Sequence, residues 1–249
     1  MNRRSFLTAA GGVVLFGGAS VVGVPMMVPY TGIPPSTGTA LAGRRMGMVI
    51  DLTRCREDCT ACMDACRAEN NVAFHGDKEL DIHWIRRVDV KRKVSVKEEE
   101  DKVRKVLLLC FHCENPPCAQ VCPVQATYQR EDGIVIVDQH RCIGCRYCMI
   151  ACPYNARYFN FKENEDWPNK EYPKRSHGVA ESCNFCAHLV DQGMQPACVQ
   201  ACQAVGAGAL TFGDLNDPES EVARLVSERS TKRIREDLGT EPKVYYIGL

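Results

Sequence analysis

The sequence predicts an α+β fold, on three observations. Sixteen cysteines fall into four groups that punctuate the chain, apolar residues recur in stretches that read as hairpins, and the cysteine-free end carries a helix with start and stop signals. At 249 residues with 45% hydrophobic and 25% charged content, the chain has the composition of a globular protein, which excludes both a disordered and a polytopic membrane protein. Lysine plus arginine equals aspartate plus glutamate at 31 each, so no electrostatic footprint for nucleic acid is present and protein partners are expected.

The first element, residues 1–42, opens on Arg3-Arg4-Ser5-Phe6-Leu7, a twin-arginine pair before an apolar stretch that carries no charge until Arg44. This pattern is an export signal. Ala40-Leu41-Ala42 reads as a small-residue cleavage site, while residues 6–30 are apolar enough to cross a bilayer as an N-terminal anchor helix. The sequence leaves both outcomes open. Residues 34–43, rich in Pro, Gly, Ser and Thr, read as a linker.

Residues 43–213 hold the cysteine groups. Between the first two, Ile82, Trp84, Val88, Val90, Val94 and Val96 recur mostly at even spacing, residues 97–101 are charged, and residues 103–109 are again apolar. An inserted hairpin is expected there. A second, shorter hairpin is expected where residues 126–130 and 134–137 flank Glu131-Asp132-Gly133, because the glycine can take the positive φ of a tight turn. In residues 214–249, Asp217-Pro218 starts a helix with Val222, Leu225 and Val226 on one face and Gly239 as its stop. Residues 244–247 read as a short strand or tail packed at an edge.

The third cysteine group carries the sharpest signal: Cys142-x2-Cys145-x2-Cys148-x3-Cys152-Pro153 has the ligand spacing of bacterial [4Fe-4S] ferredoxins. Two-residue gaps let three thiolates curl around one cubane, and the fourth cysteine then serves a second cluster, so groups work in pairs. The second group, Cys110, Cys113, Cys118 and Cys122, widens one gap with Glu114-Asn115-Pro116-Pro117 but keeps the terminal Cys-x3-Cys-Pro. The fourth, Cys183, Cys186, Cys198 and Cys202, widens that gap further and lacks the proline. The first, Cys55, Cys59, Cys62 and Cys66, has an extra residue in its first gap, which singles out Cys55 as the ligand to check.

Two other chemistries compete for an even number of cysteines. A disulfide-rich exported structural protein is the first, but this chain has apolar residues enough for a core, its thiol loops are tight, and twin-arginine export implies folding while thiols are reduced. Zinc is the second, and the Cys-x2-Cys-x2-Cys-x3-Cys-Pro run decides against it. No Cys-x-x-Cys is followed by histidine and no Gly-x-Gly-x-x-Gly follows a strand, so covalent haem and a dinucleotide site are unsupported. His112, His188, Arg56, Arg141, Arg146 and Arg157 flank the groups, where positive charge and donors raise cluster potentials.

Across residues 46–212 the four groups together resemble the four-cluster ferredoxin-like electron-transfer subunits of membrane-bound oxidoreductases, the polysulfide and dimethyl sulfoxide reductase family. The stretches Met46-Gly47-Met48-Val49-Ile50-Asp51, Ser182-Cys183-Asn184-Phe185-Cys186 and Phe212-Gly213-Asp214-Leu215-Asn216-Asp217-Pro218-Glu219-Ser220, through to Tyr245-Tyr246-Ile247, are most similar to members serving a sulfite-reduction-associated membrane complex. The resemblance implies two pseudo-symmetric ferredoxin-like modules, an outer one of about residues 46–75 plus 176–213 and an inner one of about 105–160. It also implies four [4Fe-4S] clusters: one on Cys55, Cys59, Cys62 and Cys202; one on Cys66, Cys183, Cys186 and Cys198; one on Cys110, Cys113, Cys118 and Cys152; and one on Cys122, Cys142, Cys145 and Cys148. The expected role is an electron wire with no catalytic residue, membrane-associated at the periplasmic face. The implied partners are a multi-span quinone-interacting subunit, a multihaem cytochrome c and other redox subunits. The alternative within the class is service to a molybdenum or tungsten catalytic subunit.

Overall fold

The structure, a computed structural model, describes residues 43–91, 103–165 and 167–249. The expected signal or anchor helix, nearly all of the linker, and Val94, Val96 and the charged tip of the first hairpin lie outside the described residues. Among those described, no helix is long and apolar enough to cross a membrane.

Strand β1 (Met46–Asp51) is almost wholly buried. It pairs antiparallel with β8 (Leu210–Asp214) and parallel with β10 (Val244–Ile247), and β10 pairs antiparallel with the short β9 (Thr231–Lys232), giving the order β8-β1-β10-β9. Alternation sends Met48, Ile50, Phe212, Val244 and Tyr246 into the main core, while Val49 and Ile247 face a smaller cluster on the other side. That smaller cluster is closed by α6 (Glu221–Glu228), whose Val222 is fully buried and whose Leu225 and Val226 pack beside it.

The terminal region differs from expectation twice. The helix ends at Glu228 rather than at Gly239: Arg229 is extended, and Thr231-Lys232 pairs with β10. Past Val226 the sequence offers no further apolar residue to bury on that face, so the helix gains nothing by continuing. Gly239 instead closes a single 3₁₀ turn, Glu236–Leu238, with φ +63°. The segment at residues 244–247 is not edge packing but an internal strand between β1 and β9, with Val244 and Tyr246 fully buried.

Both hairpins form. β2 (Arg86–Lys91) pairs with β3 (Val103–Leu108), and the inward residues Val106, Leu107 and Leu108 join the core. β4 (Thr127–Gln129) pairs with β5 (Val135–Val137) around Gly133, whose φ of +80° is the turn geometry that the sequence required. A further two-stranded ribbon, β6 (Tyr158–Phe159) with β7 (Ala180–Glu181), brings the fourth cysteine group beside the third.

The remaining helices are short and lie within the cysteine groups. α1 (Ala61–Glu69) packs against α5 (Ala197–Ala204), and α2 (Pro117–Gln120) packs against α3 (Tyr147–Ala151). α4 (Ala187–Val190) follows directly on Cys186. α5 starts directly after Pro196 and α2 begins on Pro117, where a missing N–H costs nothing.

Candidate metal centres

The cysteines of each group do not stay together. Cys62 and Cys66, Cys118 and Cys122, Cys148 and Cys152, and Cys198 and Cys202 are spaced four apart, about one helical turn, or roughly 6 Å along the axis. The two members of each pair fall in different sets: Cys118 lines one hollow and Cys122 another, as do Cys152 and Cys148, while Cys62 and Cys202 line a hollow that Cys66 and Cys198 do not.

Cys55, Cys59, Cys62 and Cys202 line one small hollow with Leu107 and Ala209. Cys110, Cys113, Cys118 and Cys152 line another with Val135 and Arg157. Cys122, Cys142, Cys145 and Cys148 line a third. Cys66, Cys183, Cys186 and Cys198, all buried, form the fourth set: burial first, and then other sulfurs of the set, raises the thiol pKa of Cys66, Cys183 and Cys198, with Cys186 among the neighbours that act on Cys66 and Cys198. Cys55, the one singled out for its spacing, lines a hollow with Cys59, Cys62 and Cys202.

All sixteen are unbridged thiols. Among the described residues, no group of three or more His, Cys, Asp and Glu side chains converges tightly enough to hold a single metal ion.

The donors around the sulfurs fit a thiolate-bound cluster. Backbone N–H groups of Ala209, Ala180, Thr127 and Phe185 point at the Sγ atoms of Cys202 (3.2 Å), Cys142 (3.4 Å), Cys122 (3.5 Å) and Cys183 (3.4 Å). Asn70 Nδ2 donates to Cys186 Sγ at 3.3 Å, and Arg157 Nη2 to Cys118 Sγ at 3.1 Å. Such donors stabilise negative sulfur and are how a protein tunes cluster potential. Without iron, buried thiols of these sets are poor acids where burial dominates: burial first, then neighbouring cysteines, pushes the Cys62 thiol up to about 12. Burial pushes the Cys110 thiol up to about 12 as well, against the lowering effect of Arg157.

Local backbone geometry makes the loops possible. Gly144, in the third group, has φ +70°, and a Cβ there would run into the carbonyl of Gly178. Arg146, His112, Phe185 and Cys186 adopt the same left-handed conformation without being glycine, a cost accepted where a loop must curl around its ligand.

The flanking basic residues divide sharply. Arg157 is 4% exposed and reaches a cysteine sulfur, with Nη1 on Thr127 Oγ1 at 3.2 Å. His112 is fully buried, and that burial, with Lys243 and Arg157 nearby, holds it well below the usual histidine range, so it is neutral. His188 instead pairs with Glu69 at 2.8 Å, Arg141 lies 3.7 Å from Asp138, and Arg146 sits over Phe159 and Phe161. Arg56 contributes its carbonyl, which accepts from Arg87 at 3.3 Å.

Three supporting features escape sequence reasoning. Asn70 lies one turn after Cys66, a spacing that could have exposed it. Lys243 is wholly buried; its Nζ meets Glu114 Oε2 at 3.2 Å and its N–H meets the Phe111 carbonyl at 2.9 Å, tying β10 to the second cysteine group. Burial would raise the Glu114 carboxyl, but Lys243 and Arg45 outweigh it and hold it below the ordinary value. Glu181, next to the fourth group, is pushed by burial up to about 7 and accepts from Trp84 Nε1 at 3.3 Å.

Residues 106–215, from the second cysteine group through the fourth, match the 4Fe-4S dicluster domain family. Over its whole length the chain is 40% identical to the Hdr-like menaquinol oxidoreductase iron–sulfur subunit 1 of Archaeoglobus fulgidus, covering 98% of it. It is 39% identical to a tetrathionate reductase subunit of Salmonella typhimurium, covering all of this chain and 88% of the relative. It is 38% identical to the menaquinone reductase iron–sulfur cluster-binding subunit of Nitratidesulfovibrio vulgaris, covering 82% of this chain and 88% of the relative. These relationships displace a disulfide-rich structural protein: with its thiol quartets and their sulfur-directed donors, the chain belongs to the family of 4Fe-4S electron-transfer subunits of oxidoreductase complexes.

Proposed function

We propose that this chain is an electron relay carrying four [4Fe-4S] clusters, one on each cysteine quartet, in two pseudo-symmetric ferredoxin-like modules. The observation that carries the reading is the sorting of sixteen cysteines into four sets that exchange members between groups. Each bound cluster would supply one-electron chemistry. The protein's part is to space the clusters, to set their potentials through donors such as Asn70 and Arg157, and to keep water from all but the outermost. Cys145 is exposed, with Ile143, Tyr147 and Ile150 exposed around it, which makes its quartet the terminus open to a partner.

The relay would run between a membrane quinone-interacting subunit and other redox subunits, among them a multihaem cytochrome c, with no catalytic residue in this chain. The Archaeoglobus relative, named as part of a menaquinol oxidoreductase, supports this direction. The finer form is a DsrO-like subunit of a DsrMKJOP-like complex of sulfur metabolism, exported by the twin-arginine signal to the periplasmic face of the membrane. It rests on the terminal stretches quoted above. A second reading, service to a molybdenum or tungsten catalytic subunit, is favoured by the relatives named as subunits of tetrathionate and selenate reductases. Co-purification from membranes separates the two, since only the second yields molybdenum or tungsten with the complex. Iron and acid-labile sulfide of about sixteen atoms each per chain, and four centres in a redox titration followed by electron paramagnetic resonance, are expected. Fewer than four titrating centres in intact protein defeats the reading.

A further inference from the structure

Two cysteine loops from different groups meet face to face. In Cys110-Phe111-His112-Cys113 and Cys183-Asn184-Phe185-Cys186, the third residue has positive φ, 43° for His112 and 53° for Phe185, and its N–H faces the sulfur of the first cysteine. These two third residues stack on each other, with ring centroids 3.7 Å apart and planes 25° from parallel. The stack therefore stands between the quartet of Cys110, Cys113, Cys118 and Cys152 and the quartet of Cys66, Cys183, Cys186 and Cys198. Cys110 lies near enough to Cys183 to raise its thiol pKa.

The two rings differ in one respect that the packing does not explain. His112 Nδ1 accepts the N–H of Val135 at 3.0 Å, which leaves the imidazole proton on Nε2. Nε2 is buried without a hydrogen-bond partner in the protein. A phenylalanine, as at position 185, would fill the space but strand the Val135 N–H; the histidine satisfies that N–H and leaves in its place a buried Nε2 donor with no acceptor in the protein, which is costly unless a bound group accepts it. We propose that the His112 Nε2–H is a hydrogen-bond donor to a sulfur of one of the two clusters flanking the stack, raising its potential at the crossing between modules. His112 is thereby a positioning residue for electron transfer, one that acts on the cluster without ligating it. The inference rests on the cluster reading above.

The test uses the full chain with its clusters, grown with histidine labelled with ¹⁵N in the imidazole ring and reduced stepwise. Pulsed electron paramagnetic resonance is expected to show ring-nitrogen coupling to one of these two clusters. In His112→Phe, which keeps the stack and removes both the Nε2 donor and the acceptor of the Val135 N–H, that coupling disappears and the same cluster's midpoint potential falls while the others hold; His112→Gln, which keeps an N–H donor and an acceptor, recovers part of the fall. Absence of ring-nitrogen coupling in the wild-type chain overturns the proposal, as does coupling that persists in His112→Phe, or unchanged midpoints at full iron content. The last would assign the Nε2 partner to a buried water. Should His112→Phe fail to assemble, the wild-type coupling decides. Iron and sulfide below about sixteen each in the wild-type chain would instead count against the cluster reading.

Discussion

Arg157 shows what a single residue contributes at these sites. Its guanidinium is buried, donates to Cys118 Sγ and to Thr127, and lies among the sulfurs of Cys110, Cys148 and Cys152, whose proximity raises its own pKa despite burial. A fixed positive charge beside a cluster favours the reduced, more negative state. Arg157→Met is therefore expected to lower the potential of the cluster on Cys110, Cys113, Cys118 and Cys152 by tens of millivolts, since about 59 mV corresponds to a tenfold change for one electron. It should also destabilise the fold by about 2 kcal/mol through the lost charge-assisted hydrogen bonds. Potentiometric titration and denaturant unfolding check the two effects. Gly133 is a purely structural case. Its φ is +80°, and an added Cβ would collide with the buried Lys243 ammonium, which would have to shift from Glu114. Gly133→Ala is expected to cost about 2 kcal/mol by strain at that φ, measured by thermal or denaturant unfolding.

At the scale of elements, helices one or two turns long are made useful by the four-residue spacing of their cysteines. In the proposed pairing, each of α1, α2, α3 and α5, with the residues just after it, supplies two quartets, so removing one sulfur is predicted to damage a cluster that is remote in sequence. Cys202→Ala should abolish the centre held by Cys55, Cys59 and Cys62, with iron falling by about a quarter and the other signals retained. Loss of the Cys183-Cys186 centre instead would refute the pairing. Strand β10 matters in another way. It is internal to the sheet, Lys243 at its start anchors the second cysteine group, and Tyr246 OH donates to the Leu107 carbonyl at 2.8 Å, joining the sheet to the first hairpin. Tyr246→Phe removes that bond and leaves a buried carbonyl unpaired, an expected loss of about 1–2 kcal/mol by denaturant unfolding with the clusters still in place.

For the molecule as a whole, the energetics of the metal-free chain and the loaded chain run in opposite directions with pH. In the metal-free fold, burial moves Cys62 and Cys110 from about 9 up to about 12, so the folded chain binds protons more tightly than the unfolded one. The stability these two thiols contribute is fully present below pH 9 and is lost as pH rises from 9 toward 12. Cluster binding needs thiolates, so loading releases those protons and clusters are retained less well as pH falls. Proton release on reconstitution, with cluster loss followed by visible absorbance at decreasing pH, checks the second half. Unfolding of the apo chain at pH 8 and pH 10.5 checks the first, with lower stability expected at the higher pH.

Much of this was legible in the sequence because ligand chemistry is written locally. Cys-x2-Cys-x2-Cys-x3-Cys-Pro demands a curled loop, Glu131-Asp132-Gly133 demands a turn, and the alternation around Val88 and Val106 demands a hairpin, each through interactions among near neighbours. The four groups, their iron–sulfur chemistry and both hairpins could be read in this way, and family resemblance supplied the pairing of groups. The reading stopped where a residue's state depends on distant parts of the chain. The helix after Ser220 ends early because pairing with β10 competes for the residues beyond Glu228. The segment at residues 244–247 is internal because β1 and β9 flank it from nearly 200 residues upstream and about a dozen upstream, respectively. Lys243, Glu181 and the His112–Phe185 stack have no periodicity or motif to mark them. Their roles come from burial and from partners that only the folded chain brings into contact, and that is why tertiary structure alone decided them.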